Sequence, residues 1–403
     1  MKTHTSRRDD HRPPGHLVVI GSGPREEWEH AMGRLAEGGP LLLIDEKPPS
    51  WQRRYIAGCR TANLANLHEV REAARKLSIE HHLAGVLTFH PAHARAAALV
   101  RQDFNLPGPS PATLETTTMR HRTADILARA GVASSGALHA DSYNEALEAA
   151  HRFGFPVVCK PASPRKRYAA RLVDSLPALA AAFSSATATT WPGTGTVIEP
   201  WIAGIEATAY TLGTPSRTRL VAVSHATFDP VAEPALLPLE VVIDADDLCA
   251  PGIEDIACLS LAAIGHQSGL AQIRLRITAT GPLVISVTTH LTDPLLGALI
   301  HQVTGIDLIA ASGNYARGCP TETEGYRLGA TAVRFLQVAQ SSDVRSVHVP
   351  ACRNVTPYAH LEHYAAPRPV GPVRRSGHLQ ASGTDYQQCV ARLQTAVGEL
   401  RAS

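Results

Sequence analysis

Short apolar runs alternate with stretches of helical period along the first quarter of this chain. His16-Leu17-Val18-Val19-Ile20 leads into Gly21-Ser22-Gly23-Pro24, then a helical pattern from Arg25 to Leu35, then the apolar run Leu41 to Ile44 ending at Asp45. Strand, glycine turn, helix and strand in that order predict the beginning of a doubly wound parallel sheet. The same rhythm predicts a helix over Leu67 to Leu77, a strand at Gly85-Val86-Leu87-Thr88-Phe89 and a helix from Ala92 to Phe104. Gly21-Ser22-Gly23 lacks the third glycine of a dinucleotide fingerprint, so a tight turn is the better reading. Leu106-Pro107-Gly108-Pro109-Ser110-Pro111 breaks the pattern, because proline removes helix hydrogen bonds and glycine permits turns. A first domain over residues 16–115 is expected.

Beyond that break the period predicts a helix from Thr118 to Ala130 with Gly131 as its C-terminal cap. A second helix, Ser142 to Arg152, carries Ser142 and Glu145 at capping-box spacing. Strands follow at Val157 to Lys160 and Val197 to Glu199. Further strands are expected at Ala207 to Leu212, Leu220 to Ser224, Ala271 to Ile277 and Leu283 to Val287, with a long helix around Ile253 to Gln267. Ala330 to Leu336 reads as a strand and Asp385 to Leu400 as a closing helix. No internal repeat is present.

Composition narrows the class. The chain has 403 residues, enough for two or three domains, and 44% hydrophobic with 18% charged residues describes a folded globular protein. A net charge of +2 gives no argument for nucleic acid or an anionic membrane. No apolar run reaches the length of a membrane span, and no signal-peptide core follows the polar stretch Met1 to Gly15, so a disordered tail and a cytoplasmic location are expected. The seven cysteines form no CxxC pair and read as reduced thiols. His360-Leu361-Glu362-His363 is not a metalloprotease motif, and it and His81-His82 read as surface histidines.

The chemistry begins at Phe153-Gly154-Phe155-Pro156-Val157-Val158-Cys159-Lys160-Pro161, a buried strand ending in a lysine. With Met119-Arg120 before Ala130-Gly131-Val132, and with Val197-Ile198-Glu199-Pro200-Trp201-Ile202-Ala203-Gly204-Ile205-Glu206 after it, the order of elements resembles the ATP-grasp superfamily, in particular its carboxylate-amine ligases. That resemblance covers most of residues 16–403. It implies an α/β fold with a doubly wound pre-ATP-grasp domain, an ATP-grasp domain over 116–310 with an α+β lid at about 150–202, and a C-terminal α+β portion over 311–403. It also implies nucleotide-binding roles. Arg120 stands where the first nucleotide lysine would sit and Lys160 where the second would. Backbone groups around Glu199, Trp201 and Ile202 would read adenine, and Glu206 would accept from ribose hydroxyls.

The phosphate end departs from the family. The glycine-rich loop is replaced by Ser163-Pro164-Arg165-Lys166-Arg167-Tyr168, and a proline has no N–H to offer a phosphate. Arg165, Lys166 and Arg167 would meet an anion with side chains instead. Where the family holds magnesium with carboxylates, this chain has Arg274 and then Ser286-Val287-Thr288-Thr289-His290. Magnesium needs hard anionic oxygen ligands, and an arginine in that place repels it. Arg274 and His290 are thus the candidates at the reaction centre, ATP or ADP the expected cofactor, and Mg2+ is not expected in the family's usual site. The expectation is a degenerate protein that binds a nucleotide or another anionic small molecule, with a protein partner conceivable and a symmetric dimer as the assembly. The alternative is an active amide-forming ligase with relocated metal ligands, for which Asp229, Glu233, Glu240 and Asp293 are the nearest acids.

Overall fold

The computed structural model describes residues 15–162, 170–190, 193–214, 217–228, 238–246, 252–266, 268–339, 347–348, 354–359 and 373–402. The expected tail other than Gly15, the basic triplet Arg165, Lys166 and Arg167, the acids Asp229 and Glu233, and His360 and His363 lie outside those residues.

The N-terminal alternation forms β1 (His16–Ile20), α1 (Arg25–Glu37), β2 (Leu41–Asp45), β3 (Ile56–Thr61), α2 (Leu67–Glu80), β4 (Leu83–Leu87) and α3 (Ala94–Phe104). The strands make a four-stranded parallel sheet in the order β3-β2-β1-β4. Its central strands are buried on both faces, which is why β1 and β2 read as unbroken apolar runs. The glycine turn after β1 is tied down by Ser22, whose N–H donates to Asp45 Oδ2 at 3.1 Å and whose hydroxyl accepts from Gln52 Nε2 at 2.8 Å.

The linker gives rise to an unexpected helix, α4 (Pro111–Thr118), capped by Ser110 Oγ, with a proline in its first turn where a missing N–H costs nothing. The helix expected from Thr118 begins instead at Arg120, as α5 (Arg120–Arg129), because Met119 is extended. Thr116, Thr117 and Thr118 are three consecutive β-branched residues, poor at carrying a helix through that point.

A four-stranded antiparallel unit follows, built from β5 (Leu138–Ala140), α6 (Tyr143–Phe153), β6 (Val157–Pro161), β7 (Arg171–Val173), α7 (Leu176–Thr189) and β8 (Thr196–Pro200), in the strand order β5-β8-β6-β7. The capping box on α6 forms, with Ser142 and Glu145 satisfying each other's backbone N–H groups.

The largest element is an eight-stranded antiparallel sheet. It contains β9 (Ile205–Thr214), β10 (Arg217–Phe228), β11 (Pro238–Asp244), β12 (Gly269–Thr278), β13 (Gly281–Thr288), β14 (Ala330–Ala339), β16 (Val355–Ala359) and β17 (Val373–Gly383), ordered β13-β12-β9-β10-β11-β14-β17-β16. The C-terminal strands continue this sheet through the β11–β14 pairing. Two-residue strands β15 (Val347–His348) and β18 (Arg401–Ala402) pair separately. Helix α8 (Ile253–Ala263) stops short of the expected Gln267, giving way at Ile264-Gly265. Helices α9 (Pro294–Thr304), α10 (Leu308–Ala316) and α11 (Tyr386–Gly398) complete the chain. Among the described residues no single helix is long and apolar enough to cross a membrane; the apolar pair α9 and α10 is bent by 111°.

Helix α10 joins the N-terminal sheet to the large one. Asp307 caps it, accepting from Ile309 and Ala310 N–H at 2.9 Å each, and also takes Arg34 Nε of α1 at 2.7 Å. Its last turn lies so close to β4 that a Cβ at Gly85 would stand 2.1 Å from the Ala316 carbonyl oxygen. Gly85→Ala should therefore lower stability by about 1–3 kcal/mol, the usual cost of overpacking a filled interior, seen as a lower urea midpoint at unchanged slope. Gly398→Ala, whose new methyl meets nothing within 4 Å, should not lower it.

Candidate functional site

The lysine strand and the hinge strand face each other in the smaller antiparallel sheet, with Lys160 across from Val197 and Val158 across from Glu199. Lys160 and Glu199 are both buried, and Lys160 Nζ donates to Glu199 Oε2. The other carboxylate oxygen, Oε1, is sealed from solvent and has no hydrogen-bond partner. A buried pair of this kind brings little net stability, but removing one partner leaves an uncompensated charge that costs about 3–5 kcal/mol.

Beyond Pro200 the hinge runs through Trp201, Ile202 and Gly204 into β9. Trp201 N–H donates to the Pro156 carbonyl at 3.0 Å, tying the hinge to the start of β6. Gly204 has φ of 144°, and a Cβ there would lie 2.5 Å from the Ile277 carbonyl oxygen, so only glycine passes this close to β12. Ile202 is half-buried beside Trp201.

The next residue with chemistry, Glu206, is buried and opposes Arg276 directly in the β9–β12 register. Arg276 Nη2 lies 3.0 Å from Glu206 Oε2, and Arg274 Nη2 donates to Oε1 at 2.5 Å. Arg276 is held on three further sides. Its Nη1 donates to the Gly204 carbonyl at 3.2 Å, and its guanidinium carbon lies 4.6 Å from the Trp201 ring centroid and 5.8 Å from that of Phe228. Arg274, half-exposed, lies directly opposite Ser286 on β13. Two of the positions where the resemblance implies metal carboxylates are thus neighbours across one strand pair.

Arg120, at the start of α5, joins the same group. Its charge acts on Lys160, and it feels Glu199, Glu206 and Arg274 in turn. It is half-buried as a residue, yet its Nη1 is out of reach of solvent and without a partner. Burial holds the guanidinium below its ordinary range, with Glu199 pulling the other way. Arg120, Lys160, Arg274 and Arg276 therefore surround two carboxylates, and the cluster is net cationic. Among the described residues no three histidine, cysteine, aspartate or glutamate side chains come close enough to hold a metal ion.

His290 stands elsewhere. It lies two residues past the end of β13, half-buried, with neither ring nitrogen hydrogen-bonded, and the charges that reach it are Arg101 and His90 from the N-terminal part of the chain. Beyond Thr288 the chain leaves the sheet, so the strand alternation that aims Arg274 no longer governs its direction. Asp293 caps α9, accepting from Leu295 N–H at 3.1 Å, and Glu240 on β11 is buried with Arg334 at 3.6 Å. Sequence reasoning missed Arg276 and Phe228. The signal for Arg276 was available, because a period of two puts residues 272, 274 and 276 on one face.

Burial first, and then Arg120, push the Lys160 ammonium down to about 7 from an ordinary 10.5, against the pull of Glu199. A base with a lowered folded pKa binds fewer protons folded than unfolded between those two values. Folding stability should then rise with pH through that window, the cost of the buried cation being complete below it. Urea midpoints from pH 7 to 10 should climb in the natural chain relative to the double variant Lys160→Met/Glu199→Gln. Parallel slopes would show that Lys160 titrates as an ordinary lysine.

No protein-family model matches the sequence. An uncharacterized protein, y4rH of Sinorhizobium fredii, is 25% identical over 261 residues, 64% of this chain and 53% of that protein. The chain thus matches about half the length of that curated relative. Solved structures agree over far more of the fold. An L-amino acid ligase from Bacillus licheniformis superposes with a TM-score of 0.81 at 17% identity, covering 97% of this chain and 99% of the other. The biotin carboxylase domain of the Hydrogenobacter thermophilus 2-oxoglutarate carboxylase, solved with MgADP, ADP and bicarbonate, does so at 0.72 and 13% identity, covering 98% and 91%. Sheet order, hinge and lysine strand together with these superpositions establish that the chain has the ATP-grasp fold, shared with carboxylate-amine ligases.

Proposed function

We propose that this chain binds a nucleotide or a related anionic small molecule in the Lys160–Glu206 cleft without carrying out metal-dependent ligation. The observation that carries the reading is the Arg274–Glu206–Arg276 arrangement opposite Ser286. Phosphoryl transfer depends on electrostatic clamping of the moving group, which magnesium and its carboxylates ordinarily supply. Here two guanidiniums stand in that region, and their nearest carboxylate is already engaged by both. A divalent cation entering it would meet like charge.

The unmet hydrogen-bonding capacity supports a ligand with two kinds of group. Glu199 Oε1 is a buried acceptor with no donor, and Arg120 Nη1 a buried donor with no acceptor. An amine-bearing base with an anionic tail would satisfy both, which fits the nucleotides found in structures of the same fold. The Glu206 carboxylate, already holding two arginines, has little left to offer ribose hydroxyls, so base and phosphates would dominate recognition. The catalytic alternative would draw on Asp293, whose charge reaches Tyr210 as that of Arg274 does. On that reading the chain would activate an acid as an acyl phosphate and pass it to an amine. A place beside a functional ligase in a peptide or natural-product pathway, as a symmetric dimer, would suit the non-catalytic reading.

Calorimetric titration with ATP and ADP, each with and without magnesium, tests the proposal. Binding should be equally tight in both conditions, and no ADP should be released from ATP. Arg120→Met should weaken binding by about tenfold or more, the loss expected for a hydrogen bond to a charged group. Magnesium-dependent binding with ADP release would overturn the proposal, and its loss in Asp293→Ala would establish the catalytic alternative.

A further inference from the structure

A second group of unmet polar atoms lies between the N-terminal sheet and the elements that follow β13. A cavity of about 50 Å3 is bounded by the end of β4 with the residues after it, by α3, by the Pro107–Pro109 linker, by Thr289 and His290, and by Tyr315 of α10. Arg101 lines it and is buried, donating to the Val86 carbonyl at 3.1 Å and more distantly to the Pro109 carbonyl at 3.5 Å. No described carboxylate forms an ion pair with it. Its Nε–H, the Thr289 hydroxyl and both nitrogens of His290 have no hydrogen-bond partner.

Four orphaned polar atoms around one cavity need an explanation, because buried polar groups are otherwise almost always paired. The uncompensated cation is the costlier part. Burial pushes the Arg101 guanidinium down to about 10, which still leaves it charged at neutral pH. A buried charge without a counter-ion is destabilising by several kcal/mol. His290 cannot offset it, because an imidazole is neutral or cationic and never an anion; burial and the nearby Arg101 hold it down to about 4, so it is neutral and can donate from one nitrogen. Leu87, Phe89, Ala94, Ala97, Leu114 and Ala316 give the cavity an apolar wall, beside the hydroxyl-bearing Thr88, Ser312 and Tyr315. Pro107 is exposed, so the linker side adjoins solvent.

We propose that this cavity is a binding site for a short-chain carboxylate, separate from the Lys160–Glu206 cleft, with the anion against Arg101, the Thr289 hydroxyl and His290 completing its hydrogen bonds, and the alkyl part against the apolar wall. Neither nitrogen of the His290 ring is engaged, so its one N–H is available to a ligand. The space equals that of a few water molecules, given that one needs about 10–15 Å3 on this measure. That matches an acid of propionate size. The inference rests on the unpaired charge of Arg101 and does not depend on whether nucleotide binds in the other cleft.

Calorimetric titration of the full chain with sodium propionate, against sodium chloride at equal ionic strength, tests this directly. Saturable binding is expected, with the neutral isostere propionamide weaker by about tenfold or more, since a charge-assisted hydrogen bond contributes about 1.5–3 kcal/mol. His290→Phe and Thr289→Val, each checked for native near-ultraviolet circular dichroism, should weaken propionate binding. Arg101→Gln should abolish it, and where that variant fails to fold the other two decide the question. Absence of saturable binding would mean that the cavity holds only water and would overturn the proposal. So would equal binding of propionamide, propionate binding unaffected by His290→Phe, or inorganic phosphate binding as tightly as propionate.

Discussion

Glu206 is gripped by two guanidinium groups from the neighbouring strand, and the character of the whole cleft follows from that ion-pair triad. Antiparallel pairing places Arg276 directly opposite Glu206, and the pleat carries Arg274, two residues earlier, to the same face. Once two arginines converge on one buried carboxylate, both of its oxygens are engaged and one positive charge is left over within the triad. The flat faces of Arg276 lie against Trp201 and Phe228, which replaces lost hydration with cation–π contact.

The same triad couples the hinge to the large sheet. Arg276 donates to the Gly204 carbonyl while Gly204 itself passes against β12, so the chain segment leading out of the small sheet is fixed to the strand that carries both arginines. On the other side of the hinge, Lys160 and Glu199 form a second buried pair, and Arg120 stands between the two pairs electrostatically. The charges therefore behave as one network. Partly satisfied networks in a low-dielectric interior are costly, and the orphaned atoms of Glu199 and Arg120 concentrate that cost within this cluster.

Much of the fold was legible because local signals and tertiary context agree. The runs that became β1 and β2, the capping box of α6, and the strands β9, β12 and β13 each announce themselves through period and punctuation. Signals weakened where neither was strong. Strand β11 and the short helix α4 were not anticipated, and the helix expected from Thr118 was displaced by the turn at Met119. In the cleft, Arg120, Lys160, Glu199, Glu206 and Arg274 were singled out through the resemblance to the ATP-grasp superfamily. Arg276 could have been, since it shares the face of Arg274.

The sequence by itself determined the alternation of elements and the residue types Arg274, Ser286 and His290 at the positions where the resemblance leads one to expect a reaction centre, because both are written in residue type and spacing. Only the tertiary structure decided which charges meet. Register chose Arg276 as the direct partner of Glu206, and the lysine strand's place beside β8 paired Lys160 with Glu199. The exit of the chain from β13 took His290 away from the cleft and toward Arg101. Those pairings depend on contacts between residues far apart along the chain, where distances of a few ångströms decide whether a charge is compensated.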